Sequence, residues 1–203
     1  MTAKYIALEG IEGAGKSTVA ARLADLLREA GREVVTVREP GGTSAGERIR
    51  SVLLDQGPDL GHWTEALLFA ASRAELAADV VGPALTSGAW VVTDRSVYSS
   101  LAYQGGGRRL GIGAVRALNE LGLGDVWPDL VVLLRLDPSE GLERQEIPDR
   151  IGAEGLRFQA RVATAFDDIA AREPDRFVVL DASAPLDLVV SRLWDTLEGQ
   201  WSR

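Results

Sequence analysis

Short apolar runs alternate with amphipathic stretches along the whole chain. Runs at residues 5–9, 34–38, 90–93, 130–136 and 177–181 predict five strands. The run at 130–136 is interrupted only by Arg135, the pattern of a central parallel strand buried on both faces. Between the runs the spacing becomes helical. Val19, Leu23, Leu26, Leu27 and Ala30 share one face of a helix that opens at Ser17, and Gly31 is suited to end it. Further helices are predicted at 47–54, 64–85, 114–121, 139–144, 156–172 and 185–197. The 64–85 helix carries an apolar face through Leu67, Leu68, Ala71, Leu76 and Val80, and Pro83 bends or ends it. Pro185 stands at the start of the last helix. Gly105-Gly106-Gly107 reads as a loop that could be mobile. Strands separated by helices predict an α/β fold, with a five-stranded, mainly parallel sheet and helices on both faces. Without repeats, low-complexity segments or linkers, residues 1–203 read as a single domain.

In such a sheet, ligands sit beyond the carboxyl ends of the strands. The loop there after the first strand runs Gly10, Ile11, Glu12, Gly13, Ala14, Gly15, Lys16, Ser17 and fits G-x-x-x-x-G-K-[ST] in full. Its glycines let backbone N–H groups wrap an oligophosphate, and the helix N-terminus adds partial positive charge. Lys16 is expected on the outer phosphates, the Ser17 hydroxyl on Mg2+, and Thr18 in the same nucleotide-binding set. A P-loop NTPase or kinase fold follows.

Charged residues stand directly after several other strands. Asp137 and Asp181 read as ordinary strand ends meeting water. Arg38 and Arg95 read with the phosphate loop. Asp94 can organise Mg2+ through water while Arg95 clamps a second phosphate, so the site is suited to two phosphorylated ligands. That favours phosphoryl transfer to a nucleoside monophosphate over hydrolysis. A GTPase is excluded, because its N-K-x-D element needs a lysine after asparagine and neither Lys4 nor Lys16 has one. A motor ATPase would end the third strand in an acidic pair rather than Asp94-Arg95.

Composition narrows the partners. The net charge of −8 argues against a nucleic-acid surface. Cysteine is absent, so no thiolate nucleophile or metal site is available. No apolar run is long enough for a membrane span, and a cytoplasmic protein is expected. Lys4 and Lys16 are the only lysines among 22 basic residues, and a compact ammonium suits phosphates already enclosed by amides. His62, the only histidine, reads as structural. Asp167-Asp168 lies mid-helix, where adjacent side chains point apart, and reads as a solvated face. Trp194 and Trp201 read as packing or interface residues.

Taken in order, the blocks resemble the bacterial thymidylate kinase family, whose members phosphorylate dTMP with ATP. They are Glu9 to Ser17, Arg38-Glu-Pro-Gly-Gly-Thr43, Asp94-Arg95, Ser99-Ser100-Leu-Ala-Tyr-Gln-Gly-Gly-Gly107, Pro128-Asp-Leu130, Asp149-Arg150-Ile151 and Asp181-Ala182 with Pro185-Leu186. The resemblance implies that Arg38 and Arg95 bind the acceptor phosphate and assist its transfer. Phe69 would stack on thymine while Arg73, one helical turn on, bonds the base edge. Ser100 and Gln104 would complete the base pocket, Tyr103 would pack near the deoxyribose, and Glu9 would approach the sugar or a magnesium water. A homodimer is implied as well. The lid is taken as about 144–155, and its segment from Arg144 to Arg150 is short and basic only at its two ends. Arg150 is expected to be its catalytic arginine and Arg144 to contact ATP, with Arg157 and Arg161 as weaker candidates for the lid; the alternative for Arg144, Arg157 and Arg161 is ordinary helix-surface ion pairing. Two rivals stand beside this reading. One is another P-loop nucleotide or deoxynucleoside kinase; the other is a nucleotide-binding regulatory protein without turnover.

Overall fold

The computed structural model describes residues 3–55, 59–145 and 150–201. Strands β1 (Tyr5–Glu9), β2 (Val34–Arg38), β3 (Trp90–Asp94), β4 (Leu130–Arg135) and β5 (Phe177–Asp181) form one sheet in the order β2-β3-β1-β4-β5. All of its pairings are parallel, with Ile6 opposite both Val92 and Leu130. The chain leaves β1 toward β2, and later passes from β3 across to β4 on the other side. A crevice therefore opens beyond the ends of β1 and β3, where the connections part. The phosphate loop lies at that crevice.

The helices are α1 (Lys16–Glu29), α2 (Ser44–Leu54), α3 (His62–Leu76), α4 (Gly82–Ser87), α5 (Val97–Ser100), α6 (Ile112–Leu123), α7 (Pro138–Glu143), α8 (Leu156–Arg172) and α9 (Leu186–Trp201). Helix α2 starts three residues before the expected position because the Thr43 side chain accepts a hydrogen bond from the Gly46 N–H and caps it. Trp194 is partly buried against the core. The side chain of Trp201 lies outside the described residues.

Three expectations change. The long 64–85 helix is neither broken nor ended at Pro83. A π-helical turn at Ala77–Val81 links α3 to α4 and resets the hydrogen-bond ladder, so Pro83 falls in the first turn of α4, where its missing N–H is tolerated. The apolar face assigned to that helix holds only in part: Leu76 is buried and Leu68 and Val80 pack against the core, but Leu67 and Ala71 face outward. Leu67 is 52% exposed, while Glu65, Phe69, Ser72 and Arg73 are buried. Third, Gly105-Gly106-Gly107 is not a loop. It closes a π-helical segment, Leu101–Gly107, that continues α5 and packs on α8. A Cβ at Gly106 would collide with that of Ala165, and one at Gly107 would lie 2.8 Å from the Phe158 ring. The glycines allow two helices to touch at backbone distance.

Candidate active site

A cavity of about 400 Å³ lies beyond the strand ends. The phosphate loop borders it on one side, and Phe69, Ser100, Tyr103 and Gln104 border it on the other, with Arg38, Asp94 and Arg95 between them. At the loop, Gly15 has φ 85° and no side chain caps the start of α1, so the first N–H groups of the helix keep their capacity for an anion. Gly13 has φ 76°, and a Cβ there would run into the carbonyl of Gly141 in α7. Only glycine fits on both counts.

Lys16 is 6% exposed, and its Nζ donates to the Ile11 carbonyl at 2.7 Å. Burial, and next the nearby Arg95, push its pKa down to about 8 against the pull of Glu12 and Asp94. The Ser17 hydroxyl donates to Asp94 Oδ2. Loop and third strand thus bring a hydroxyl and a carboxylate together beside the phosphate site.

Arg95 adopts φ 72°, a backbone region rare outside glycine. Its N–H donates to Leu8 O at 3.0 Å, and the Thr93 hydroxyl donates to its carbonyl at 2.7 Å, which hold the turn. The side chain comes back over the phosphate loop. There it pairs with Glu12, donates to Ser99 Oγ at 3.2 Å and stacks 5.0 Å from the centre of the Tyr103 ring. Burial raises the Glu12 pKa, but Arg95 and Lys16 outweigh it and hold the carboxyl below its ordinary value. Arg38 also borders the cavity, half exposed and paired with Glu47 at 3.1 Å.

Several expected residues do not face the cavity. The Glu9 carboxylate is fully buried and accepts from the backbone and hydroxyl of both Ser96 and Ser99, at 2.6–3.0 Å. Burial raises its pKa in spite of these bonds. Glu9 fixes the turn after β3 and does not line the cavity, so the expectation that it approaches a sugar or a metal water is corrected. Arg73 lies behind the wall and not in it. Its guanidinium donates to Glu39 at 2.6 Å, Ser100 Oγ at 3.2 Å, Asn119 Oδ1 at 2.5 Å and the Ser96 carbonyl at 3.1 Å. Glu39 sits between it and the cavity, and burial pushes the Glu39 pKa up to about 7 even beside Arg73.

Of the two lid arginines, Arg150 departs from its expected position. Arg144 borders the cavity and donates to the Ala182 carbonyl at 3.2 Å. Arg150, expected over the phosphates, donates instead to Leu53 O at 2.9 Å and to Glu65 Oε2 at 2.7 Å, on the side of the base pocket. The intervening residues 146–149, Asp149 of the D-R-I block among them, lie outside the described residues. Arg161, in α8, donates to the Gly107 carbonyl at 3.1 Å and so belongs to the contact between α8 and the Leu101–Gly107 segment. Glu65 and Asn119 carry no motif that marks them in the sequence, and Glu39 is marked only as part of the strand end and the Arg38-Glu-Pro-Gly-Gly-Thr43 block; a glutamate within an otherwise apolar helical face is the signal for Glu65.

A parallel five-stranded sheet, a phosphate loop after its central strand and an arginine-lined pocket for a second ligand define a P-loop nucleotide kinase. More narrowly, the chain belongs to the thymidylate kinase family, whose model matches residues 8–193. It is 47% identical over 193 residues to the thymidylate kinase of Deinococcus radiodurans, covering 94% of each chain. It is 43% identical over 206 residues to that of Magnetococcus marinus, covering 99% of this chain and 98% of the other. The crystal structure of thymidylate kinase from Ehrlichia chaffeensis superposes with a TM-score of 0.82 at 31% identity, over 98% of this chain and all of that one.

Proposed function

We infer that this protein transfers the γ-phosphoryl group of ATP to dTMP, giving dTDP and ADP. The observation that carries the inference is one continuous cavity with an uncapped helix start and Lys16 at one end, Phe69 and Gln104 at the other, and Arg95 between them. That spacing suits a triphosphate and a nucleoside monophosphate meeting phosphate to phosphate. Family membership supports the same pair of substrates.

ATP lies along Gly10 to Thr18, with Lys16 on its outer phosphates and Arg144 closing over it. The dTMP base stacks on Phe69 and is read by Ser100 and Gln104. Arg73 acts on the base chiefly by holding Ser100 in place. Tyr103 crowds the sugar, and Arg38 and Arg95 bind the acceptor phosphate. An oxygen of that phosphate attacks the γ-phosphorus in line as the bond to the ADP oxygen breaks. Negative charge spreads over the moving group, so positioning and cations carry the catalysis. Arg95 must leave Glu12 to serve in this way, and the incoming phosphate offers it a stronger partner. Ser17 and Asp94 fit Mg2+, which binds through few protein oxygens, keeps several waters and takes phosphate oxygens as the remaining ligands. Bound there, it would neutralise phosphate charge.

The chain acts as one domain and as a homodimer. Trp63 and Leu67, one turn apart on α3, and Val52 on the adjoining α2 are about half exposed, an apolar face suited to a second copy. We expect the protein in the cytoplasm; among the described residues no helix is long and apolar enough to cross a membrane. Phosphorus NMR of protein incubated with ATP, Mg2+ and dTMP tests the reaction. The dTDP resonances should grow as ATP declines; free phosphate growing in their place would mean hydrolysis and refute transfer.

A further inference from the structure

Glu65 accepts four hydrogen bonds, as Glu9 does, but two of its three donor residues are arginines. It is fully buried in the first turn of α3. Its Oε1 accepts from Gln104 Nε2 at 2.9 Å and Arg108 Nε at 3.2 Å, while Oε2 accepts from Arg108 Nη2 at 3.1 Å and Arg150 Nη2 at 2.7 Å. Burial raises its pKa, but Arg108, Gln104 and Arg150 outweigh it, and the group stays ionised. An ionised carboxylate only accepts hydrogen bonds. The amide of Gln104 must therefore turn its NH2 end toward Glu65. Gln104 is 1% exposed yet borders the cavity, and among the described residues its Oε1 accepts no hydrogen bond. Phe69 stands one helical turn from Glu65 on the same buried face of α3.

We propose that Glu65 is a positioning residue for base selection, locking the Gln104 amide so that its carbonyl oxygen, and not its NH2, faces the base. The inference rests on the dTMP reading above. A pyrimidine with an N–H at position 3, thymine or uracil, then completes the bond. Cytosine brings a lone pair to the same place, and two acceptors are left facing each other in a buried site, at a cost of about tenfold to a hundredfold in selectivity. Glu65 touches no substrate; it sets the polarity of the group that does.

Glu65→Gln removes the constraint with little change of shape, because a neutral amide can meet Gln104 in either orientation. The test is kcat/KM for dTMP, dUMP and dCMP in the wild type, Glu65→Gln, Gln104→Ala and the double variant. Glu65→Gln should lower the dTMP-to-dCMP ratio about tenfold or more, with dTMP-to-dUMP unchanged because both bases carry the same N–H. On a Gln104→Ala background, Glu65→Gln should leave dTMP-to-dCMP where Gln104→Ala put it, since no amide remains to orient. A wild-type dTMP-to-dCMP ratio in Glu65→Gln, with that of Gln104→Ala lowered, overturns the proposal and leaves the base pocket standing. An equal loss with and without Gln104 also overturns it, marking Glu65 as merely structural. A wild-type ratio in Gln104→Ala refutes the pocket reading itself. Should Glu65→Gln not fold, nitrogen-15 NMR of the wild type decides. The Gln104 amide protons should be protected from exchange before dTMP is added; protection that arises only with dTMP overturns the proposal.

Discussion

Replacing Lys16 with methionine should stabilise the fold and abolish catalysis together. The Lys16 ammonium is buried and its pKa is pushed from 10.5 to about 8, by desolvation first and then by Arg95. One pKa unit corresponds to about 1.4 kcal/mol, so holding the charged form at pH 7 costs the folded chain about 3 kcal/mol relative to the unfolded one. Methionine is similar in length and carries no charge. It forfeits the bond to the Ile11 carbonyl, worth about 1 kcal/mol. The net gain should be about 1–3 kcal/mol, or a rise in Tm of about 2–12 °C for a chain of this size. The folded pKa lies below the unfolded one, so the unfolded chain holds more protons between about pH 8 and 10.5. Wild-type stability should therefore rise across that window, and the advantage of Lys16→Met should fade. Thermal denaturation at pH 7 and pH 10, with ADP release measured alongside, tests both halves. A Tm at or below that of the wild type at pH 7 would refute the strained charge. Retained turnover would refute its place on the phosphates.

Gly106→Val should destabilise the protein by about 1–3 kcal/mol, because its Cβ meets Ala165; an unchanged urea midpoint would show that the helices do not pack there. Arg73→Ala should cost about 3–5 kcal/mol near pH 8, since it strands buried Glu39. Without Arg73 the Glu39 pKa moves further above its unfolded value, so the loss should shrink as pH falls toward 6 and the group protonates; equal losses at both pH values would contradict this. In single-turnover assays, Arg144→Ala should slow the chemical step about a hundredfold. Arg150→Ala should slow it far less, and the reverse order would return the catalytic cation to Arg150.

Features encoded within a few neighbouring residues were legible in the sequence. All five strands stand within a residue of their expected ends, because buried parallel strands need unbroken apolar runs. The phosphate loop was equally plain, since its glycine positions and lysine are local requirements. What escaped depends on distant partners. Apolar periodicity chose Leu67 and Ala71 for the inward face of α3, whereas Glu65, Ser72 and Arg73 point inward. Burying them is affordable only because Arg108, Glu39 and Asn119 arrive from other segments. Glu9 was misread for the same reason, as its four donors come from Ser96 and Ser99. The glycine run looks like a loop in sequence because its justification, Ala165 and Phe158, lies far along the chain in α8.

The central claim is transfer to a thymine nucleotide, and an acceptor panel tests it most directly. ADP release from ATP should be measured with dTMP, dUMP, dCMP, dGMP and UMP under one set of conditions. The account predicts the highest kcat/KM for dTMP, weak use of dCMP and dGMP, and UMP disfavoured by the crowding of Tyr103 against a 2′-hydroxyl. Equal release with every acceptor, or release that does not depend on any acceptor, would contradict it.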